Sequence, residues 1–280
     1  MNRLSFVLAG ALLALAGSIP ALASELTVQT YTAAPGGFSV NSHLIQGERD
    51  AILVDAQFTL SEAAKVAEMV RSSGKQLKYI VVTHGHPDHF FGLGVLQQAF
   101  PQVRVVATPA VIADIRDYGP RAIERWKPVF KDEIPDSFVT PAPLDATSLF
   151  IEGNEIQLLS MDGGESAHAT VLWIPTTRAL LTGDLTYHDV HLWLRENRPE
   201  GWLAILDRFA QLHPVSVYPG HGPVGGPELI DANRAYIQAF VAATAPPATK
   251  DEAAATLKAQ FADYALPVIV DFSVAGRLGN

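Results

Sequence analysis

An α/β layer fold is predicted from this sequence on three observations. Short apolar runs rich in β-branched residues alternate with helix-like amphipathic segments from residue 26 to about residue 226. Turn residues punctuate the boundaries between them. No repeat of solenoid period and no linker-like stretch divides the chain, so one domain with a helical C-terminal extension is expected.

The elements follow in order. Residues 26–32, 38–46 and 51–55 read as strands, separated by Pro35-Gly36-Gly37 and Gly47-Glu48-Arg49-Asp50. Residues 59–73 read as a helix. Thr59 and Glu62 fit a capping box, Val66, Ala67 and Val70 share a face, and Gly74 suits a left-handed end. Residues 77–82 read as a buried strand, 92–100 as a helix and 103–107 as the next strand. Between 110 and 147 the pattern breaks, at Tyr118-Gly119-Pro120 and from Pro135 to Pro143, so short helices and surface loops are expected there. Strands return at 148–150, 155–160, 170–174, 179–182 and 215–218, with a helix at 202–212. Residues 229–243 and 250–263 are Ala-rich helical segments on either side of Pro246-Pro247, and 272–277 is too short to assign.

Residues 1–23 differ from the rest. Asn2-Arg3 is a short basic start, residues 4–19 are almost wholly apolar or small, and Ala21-Leu22-Ala23 is a small-x-small site. That is the pattern of a secretory signal peptide cleaved after Ala23. It predicts a domain over 24–225, an extension over 226–280, and a periplasmic or secreted location without stable membrane association. The composition fits: zero Cys avoids oxidative mispairing and excludes disulfides, thiolate ligands and a Cys nucleophile. A net charge of −9 leaves no cationic excess for nucleic acid.

The segment Thr83-His84-Gly85-His86-Pro87-Asp88-His89 follows a buried strand directly. With nine His in 280 residues, three at fixed positions arise by chance roughly once in 30,000 starts. Residues two apart in an extended segment point to one side, so His84 and His86 can reach one metal, with Asp88 and His89 at a neighbouring point. Imidazole and carboxylate together suit zinc or another borderline divalent ion. Two further polar groups end apolar strands beside glycine: Asp184 in Thr182-Gly183-Asp184 and His221 in Pro219-Gly220-His221-Gly222. The C-terminal ends of strands are where α/β sheets place their sites.

With these pieces the chain resembles the metallo-β-lactamase-fold hydrolases, marked by H-x-H-x-D-H, a loop ligand, a bridging Asp in a G-D turn and a final His. The resemblance covers roughly residues 26–223. It implies an αβ/βα four-layer sandwich with the metals at the edge of two sheets. It implies His84 and His86 on one metal, Asp88, His89 and His221 on a second, and Asp184 bridging both. Asp55, ending a strand, matches the Asp that supports the H-x-H loop from behind. The family's loop His is where this chain departs: it has Gly163-Gly164-Glu165-Ser166-Ala167-His168. His168 fits by chemistry and Glu165 by position, and the choice stays open.

The activity implied is that of a dinuclear hydrolase with two Zn²⁺, or Fe or Mn, whose shared hydroxide attacks a carbonyl of a small-molecule substrate. Asp88 is expected to take up the proton. Tyr187, three residues after Asp184, resembles the Tyr with which lactonases of this superfamily hold the substrate carbonyl; a packed Tyr bonded to a backbone carbonyl is the other reading. His188, His191 and Trp193 follow, as candidates for the pocket mouth. Phe90, Phe91 and Trp126 are read as core or rim, and His43 and His213 as unconnected with the site. A cyclic ester is the first substrate class. β-Lactam or thioester hydrolysis, an iron redox enzyme and a non-catalytic metal-bound accessory protein are the alternatives. The C-terminal segment is expected to cap the pocket or to pack on a second copy in a homodimer.

Overall fold

The computed structural model describes residues 25–279, so the signal-peptide reading and its cleavage site lie outside the described residues. The first sheet holds six strands in chain order: β1 (Thr27–Thr32), β2 (Asn41–Gln46), β3 (Asp50–Val54), β4 (Gln76–Val81), β5 (Arg104–Ala107) and the two-residue β6 (Ala142–Pro143). Pairing is antiparallel from β1 to β3 and parallel from β3 to β6. The second sheet holds β7 (Ser148–Ile151), β8 (Asn154–Asp162), β9 (His168–Ile174), β10 (Ala179–Tyr187) and β11 (Ser216–His221), in the order β11-β10-β9-β8-β7. In this sheet β10 and β11 pair in parallel and the other neighbours antiparallel.

Alternation along the strands builds the layers. In β3, Ile52 and Val54 point into an inter-sheet core with Leu172, Ile174 and Leu181 of the second sheet. Their neighbours Ala51 and Leu53 point the other way. That outer face is covered by helices α1 (Leu60–Ser72), α2 (Pro87–Phe90), α3 (Leu93–Ala99) and α4 (Pro109–Phe130). In β9, Val171 and Trp173 face a third core, covered by α5 (Pro199–Leu212), α6 (Glu228–Ala243), α7 (Lys250–Gln260) and α8 (Val268–Leu278). A period of two on strands buried on both faces thus gives helix, sheet, sheet and helix layers, the expected αβ/βα sandwich.

Three parts of the chain differ from the sequence reading. Residues 110–147 are not short helices: α4 runs 22 residues through Pro120 and Pro128. Val111, Ile112, Ile115, Gly119 and Ala122 bury one continuous stripe, and that packing outweighs the backbone bonds the prolines forgo. The C-terminal residues that resisted assignment belong to α8, whose Ser273 Oγ donates to Leu192 O and accepts from Leu194 N. A Cβ at Gly276 would sit 2.3 Å from Arg195 O, so α8 lies directly on the 192–197 segment. The strand expected over 38–46 starts at Asn41, after a 3₁₀ turn and two left-handed residues, Phe38 and Ser39.

Candidate metal centre

The chain delivers its polar groups to one edge of both sheets. Beyond β4, Thr83 O accepts from Thr170 N and His84 pairs with Ala169, so the histidine loop crosses from the first sheet to β9 of the second. His86 then precedes α2, with Pro87 at its first position, and that single turn carries Asp88 and His89. From the other side come Asp184 in β10 and His221 at the end of β11.

Hydrogen bonds fix the rings. His89 Nδ1–H donates to Asp55 Oδ2 at 2.8 Å, and His221 Nδ1–H donates to Phe38 O at 2.7 Å. His84 Nδ1 lies 3.0 Å from Thr83 Oγ1. All three present Nε2 inward, while His86 presents Nδ1, 3.2 Å from His84 Nε2. The Asp55 carboxylate accepts from Thr83 N, Thr83 Oγ1 and His89.

Two groups of ligating atoms result, each within 4.8 Å: His84, His86, Glu165 and Asp184, and Asp88, His89, Asp184 and His221. Asp184 belongs to both, with Oδ1 3.1 Å from His89 Nε2 and Oδ2 3.2 Å from His221 Nε2. Donors around a tetrahedral ion with bonds of about 2.1 Å stand about 3.4 Å apart, which matches these separations. His89 Nε2, Asp184 Oδ1 and both Glu165 carboxylate oxygens are buried without a hydrogen-bond partner. Buried polar atoms are almost always paired, so such a cluster of orphans converging on one space fits missing cations.

The electrostatics agree. Burial opposes protonation of His89 and His221, yet Asp184 beside them raises both, His221 to about 10. Burial opposes protonation of His86 too, and Glu165 overcomes it. His84, nearer to other rings, is held well below its usual value by burial and by His89. Burial lifts the Glu165 carboxyl to about 7 against the pull of His86, and Asp88 falls to about 2 despite burial because His89 and His221 face it. The carboxylates thus create a demand for positive charge that protons meet only in part.

Between the two candidates left open, the structure brings Glu165 to the cluster, 2.9 Å from His86 Nδ1 and 2% exposed. His168 is not in either group, a correction to its place among the candidates. It opens β9, pairs with Asp114 at 2.9 Å and has a side chain 41% exposed. The 163–167 loop, closed by Gly163 N–H to Ala167 O, brings Glu165 to the cluster, while His168 bonds Asp114 instead.

Tyr187 is buried, and its hydroxyl donates to Asp184 Oδ2 at 2.6 Å, not to a backbone carbonyl. Its ring stacks on His221 with a 3° interplanar angle. Burial and then the Asp184 charge raise it well above the usual tyrosine value, so it keeps its proton. His191 and Trp193 line the pocket over the cluster, whereas His188 lies outside it and bonds Pro223 O. Phe90 and Phe91 are core and Trp126 is pocket wall. His43 is buried against Thr30 and Pro219 O, and His213 ends α5 in a left-handed conformation. Sequence reasoning missed Phe38, Phe58, Tyr118, Leu266 and Ile269 in the wall, and Glu196, 3.9 Å from His86. No motif marks these positions; Leu266 and Ile269 come from a segment with no chemical pattern at all.

The approach of β11 to β10 depends on Gly220. A Cβ there would lie 1.9 Å from Asp184 Oδ1 and 2.8 Å from the Gly183 carbonyl carbon. Gly220→Ala is expected to displace Asp184, weakening metal binding at least about tenfold and destabilising the fold by about 1–3 kcal/mol. Metal titration and urea unfolding measure both, and unchanged metal affinity would refute the contact's role.

A structure of a metallo-beta-lactamase family protein from Thermus thermophilus superposes with a TM-score of 0.61 at 22% identity, covering 88% of this chain and 91% of that one. A metallo-beta-lactamase from Pontibacter korlensis gives 0.59 at 20% identity over 76% and 99%. By sequence, the metallo-beta-lactamase type 2 of Bacteroides fragilis is 24% identical, over 74% of this chain and 78% of that enzyme. A beta-lactamase-like protein 2 homolog of Caenorhabditis elegans is also 24% identical, over 68% and 59%. A linear primary-alkylsulfatase of Pseudomonas is 25% identical, over 67% and 42%. The chain therefore spans less than two thirds of the length of these last two relatives. Residues 35–221 match the family model of the metallo-beta-lactamase superfamily, which takes in every residue of both ligating groups, and to that superfamily the chain belongs.

Proposed function

We propose that the protein is an exported metal-dependent hydrolase of small cyclic esters. The observation that carries this reading is the pair of four-residue ligating groups sharing Asp184 on the floor of a pocket. His84, His86, Glu165 and Asp184 would hold one divalent ion, and Asp88, His89, Asp184 and His221 the other. Zinc fits the nitrogen-rich donors, and iron or manganese the carboxylates. When bound, such ions polarise a carbonyl oxygen and acidify water.

The chain's own groups supply the rest. Water oxygen bonds to the acyl carbon, the ring C–O bond breaks, and a proton must reach the departing alkoxide. Asp88 lines the pocket with Oδ2 3.3 Å from His221 Nε2, placed to carry that proton. Tyr187, still protonated, gives its one O–H to the shared carboxylate and orients it; it serves a substrate carbonyl only by turning that O–H away from Asp184 Oδ2. Tyr187→Phe is expected to lower kcat about 10–100-fold with metal content unchanged. Full activity in that variant would remove Tyr187 from the reaction.

β-Lactam hydrolysis is the second reading, favoured by the similarity to the Bacteroides fragilis enzyme over most of its length. Export rests on residues 1–23, and N-terminal sequencing of periplasmic protein should begin at Ser24. The hydrolase reading is tested by elemental mass spectrometry beside a panel of lactones and β-lactams. About two ions per chain and turnover lost to chelator, then restored by metal, are expected. Turnover indifferent to chelator overturns it, and metal with no turnover of any panel member puts the accessory-protein reading first.

A further inference from the structure

Away from its metal-ligating floor, the pocket has an apolar wall without a basic side chain. Its wall is made of rings from Phe38, Phe58, Trp126 and Trp193 together with Leu266 and Ile269. Its imidazole outside the ligating groups, His191, is bonded to Tyr236 and held neutral by burial. Trp193 Nε1 is buried with no hydrogen-bond partner among the described residues, a neutral donor suited to a carbonyl or ether oxygen. The floor adds little pull on anions. Asp88, Glu165 and Asp184 bring three negative charges, so two divalent ions would leave a net charge of +1. Arg121, Arg125, Arg195 and Arg198 line a neighbouring groove that shares His86, Tyr118 and Trp193 with the pocket, and none of the four lines the pocket itself.

We propose that the pocket selects a neutral, apolar, ring-sized substituent on the ring carbon that bears the leaving oxygen and rejects a carboxylate there. This deepens the hydrolase reading and rests on it for turnover, though not for binding. Burying a phenyl ring in such a wall gains affinity, whereas a carboxylate would give up its hydration without a cation to replace it. The substrate class is then aryl- or alkyl-substituted lactones, and acids that bear a carboxylate next to the ring are disfavoured.

The test compares three probes on the metal-loaded protein: γ-butyrolactone, its γ-phenyl derivative and its anionic γ-carboxylate. The phenyl lactone is expected to exceed the carboxylate in kcat/KM by at least about tenfold. Trp126→Ala should raise KM for the phenyl lactone about tenfold more than for γ-butyrolactone, and circular dichroism checks its fold. A carboxylate turned over as well as the phenyl lactone overturns the proposal, as does a Trp126→Ala variant that treats the two neutral lactones as wild type does. If no lactone is turned over, the cyclic-ester reading fails by itself and calorimetric binding of the same probes decides. Phenyl lactone bound and carboxylate excluded upholds the pocket's preference; any other order refutes it.

Discussion

Asp184→Asn should abolish metal-dependent hydrolysis, by at least about 10³-fold, and reduce metal content from about two ions per chain to one or fewer. The size follows from position. Asp184 is the one residue common to both ligating groups, with one oxygen toward His89 and the other toward His221 and Tyr187. An amide keeps the volume and loses the charge. The burden on neighbouring rings changes with it, because Asp184 heads the influences that raise both His89 and His221 against burial. Elemental mass spectrometry and initial rates on the same preparation measure the effect. Two ions per chain with wild-type turnover would contradict the shared-ligand arrangement.

Asp55→Ala should be the most damaging change outside the ligating groups. It destabilises the metal-free protein by about 3–5 kcal/mol and weakens metal binding about 10–100-fold. The side chain is 2% exposed and accepts from three donors: Thr83 N–H, the Thr83 hydroxyl and His89 Nδ1–H. Removing it strands all three in the buried interior, and each stranded donor is costly. It also frees the His89 ring, whose inward Nε2 depends on that bond. Urea unfolding in excess chelator isolates the fold from the metal, and a loss under about 1 kcal/mol would show that the loop holds its shape without Asp55.

Much of this was legible in the residues because each legible feature is local. Strand periodicity in 51–55 and 77–82, the Thr59 cap on α1 and the dense spacing of His84, His86, Asp88 and His89 all depend on near neighbours in the chain. Asp184, inside β10, and His221, closing β11, stand out because a lone polar group beside glycine in an otherwise apolar strand gains nothing from the core and must find a partner at the sheet edge. The failures are non-local. Pro120 argues against a helix until the stripe from Val111 to Ala122 is seen buried on the first sheet. His168 outranks Glu165 on chemistry until the 163–167 loop decides which side chain faces inward. Leu266 and Ile269 reach the pocket only because α8 seats on the 192–197 segment, through Ser273, which bonds Leu192 and Leu194 from far along the chain.

Both ligating groups draw on both sheets: the loop after β4 brings His84, His86, Asp88 and His89, and the second sheet's half brings Glu165, Asp184 and His221. A cation held there is a rivet through the sandwich as well as a reagent. Neither half can peel away without surrendering every ion, so separation of the layers is linked to ion release. Each ion at a hundred times its dissociation constant adds about 2.7 kcal/mol to the cost of opening the molecule. Scarcity of metal would then leave the protein easier to open as well as idle, and the same seven side chains would set both how fast the protein works and how long it lasts.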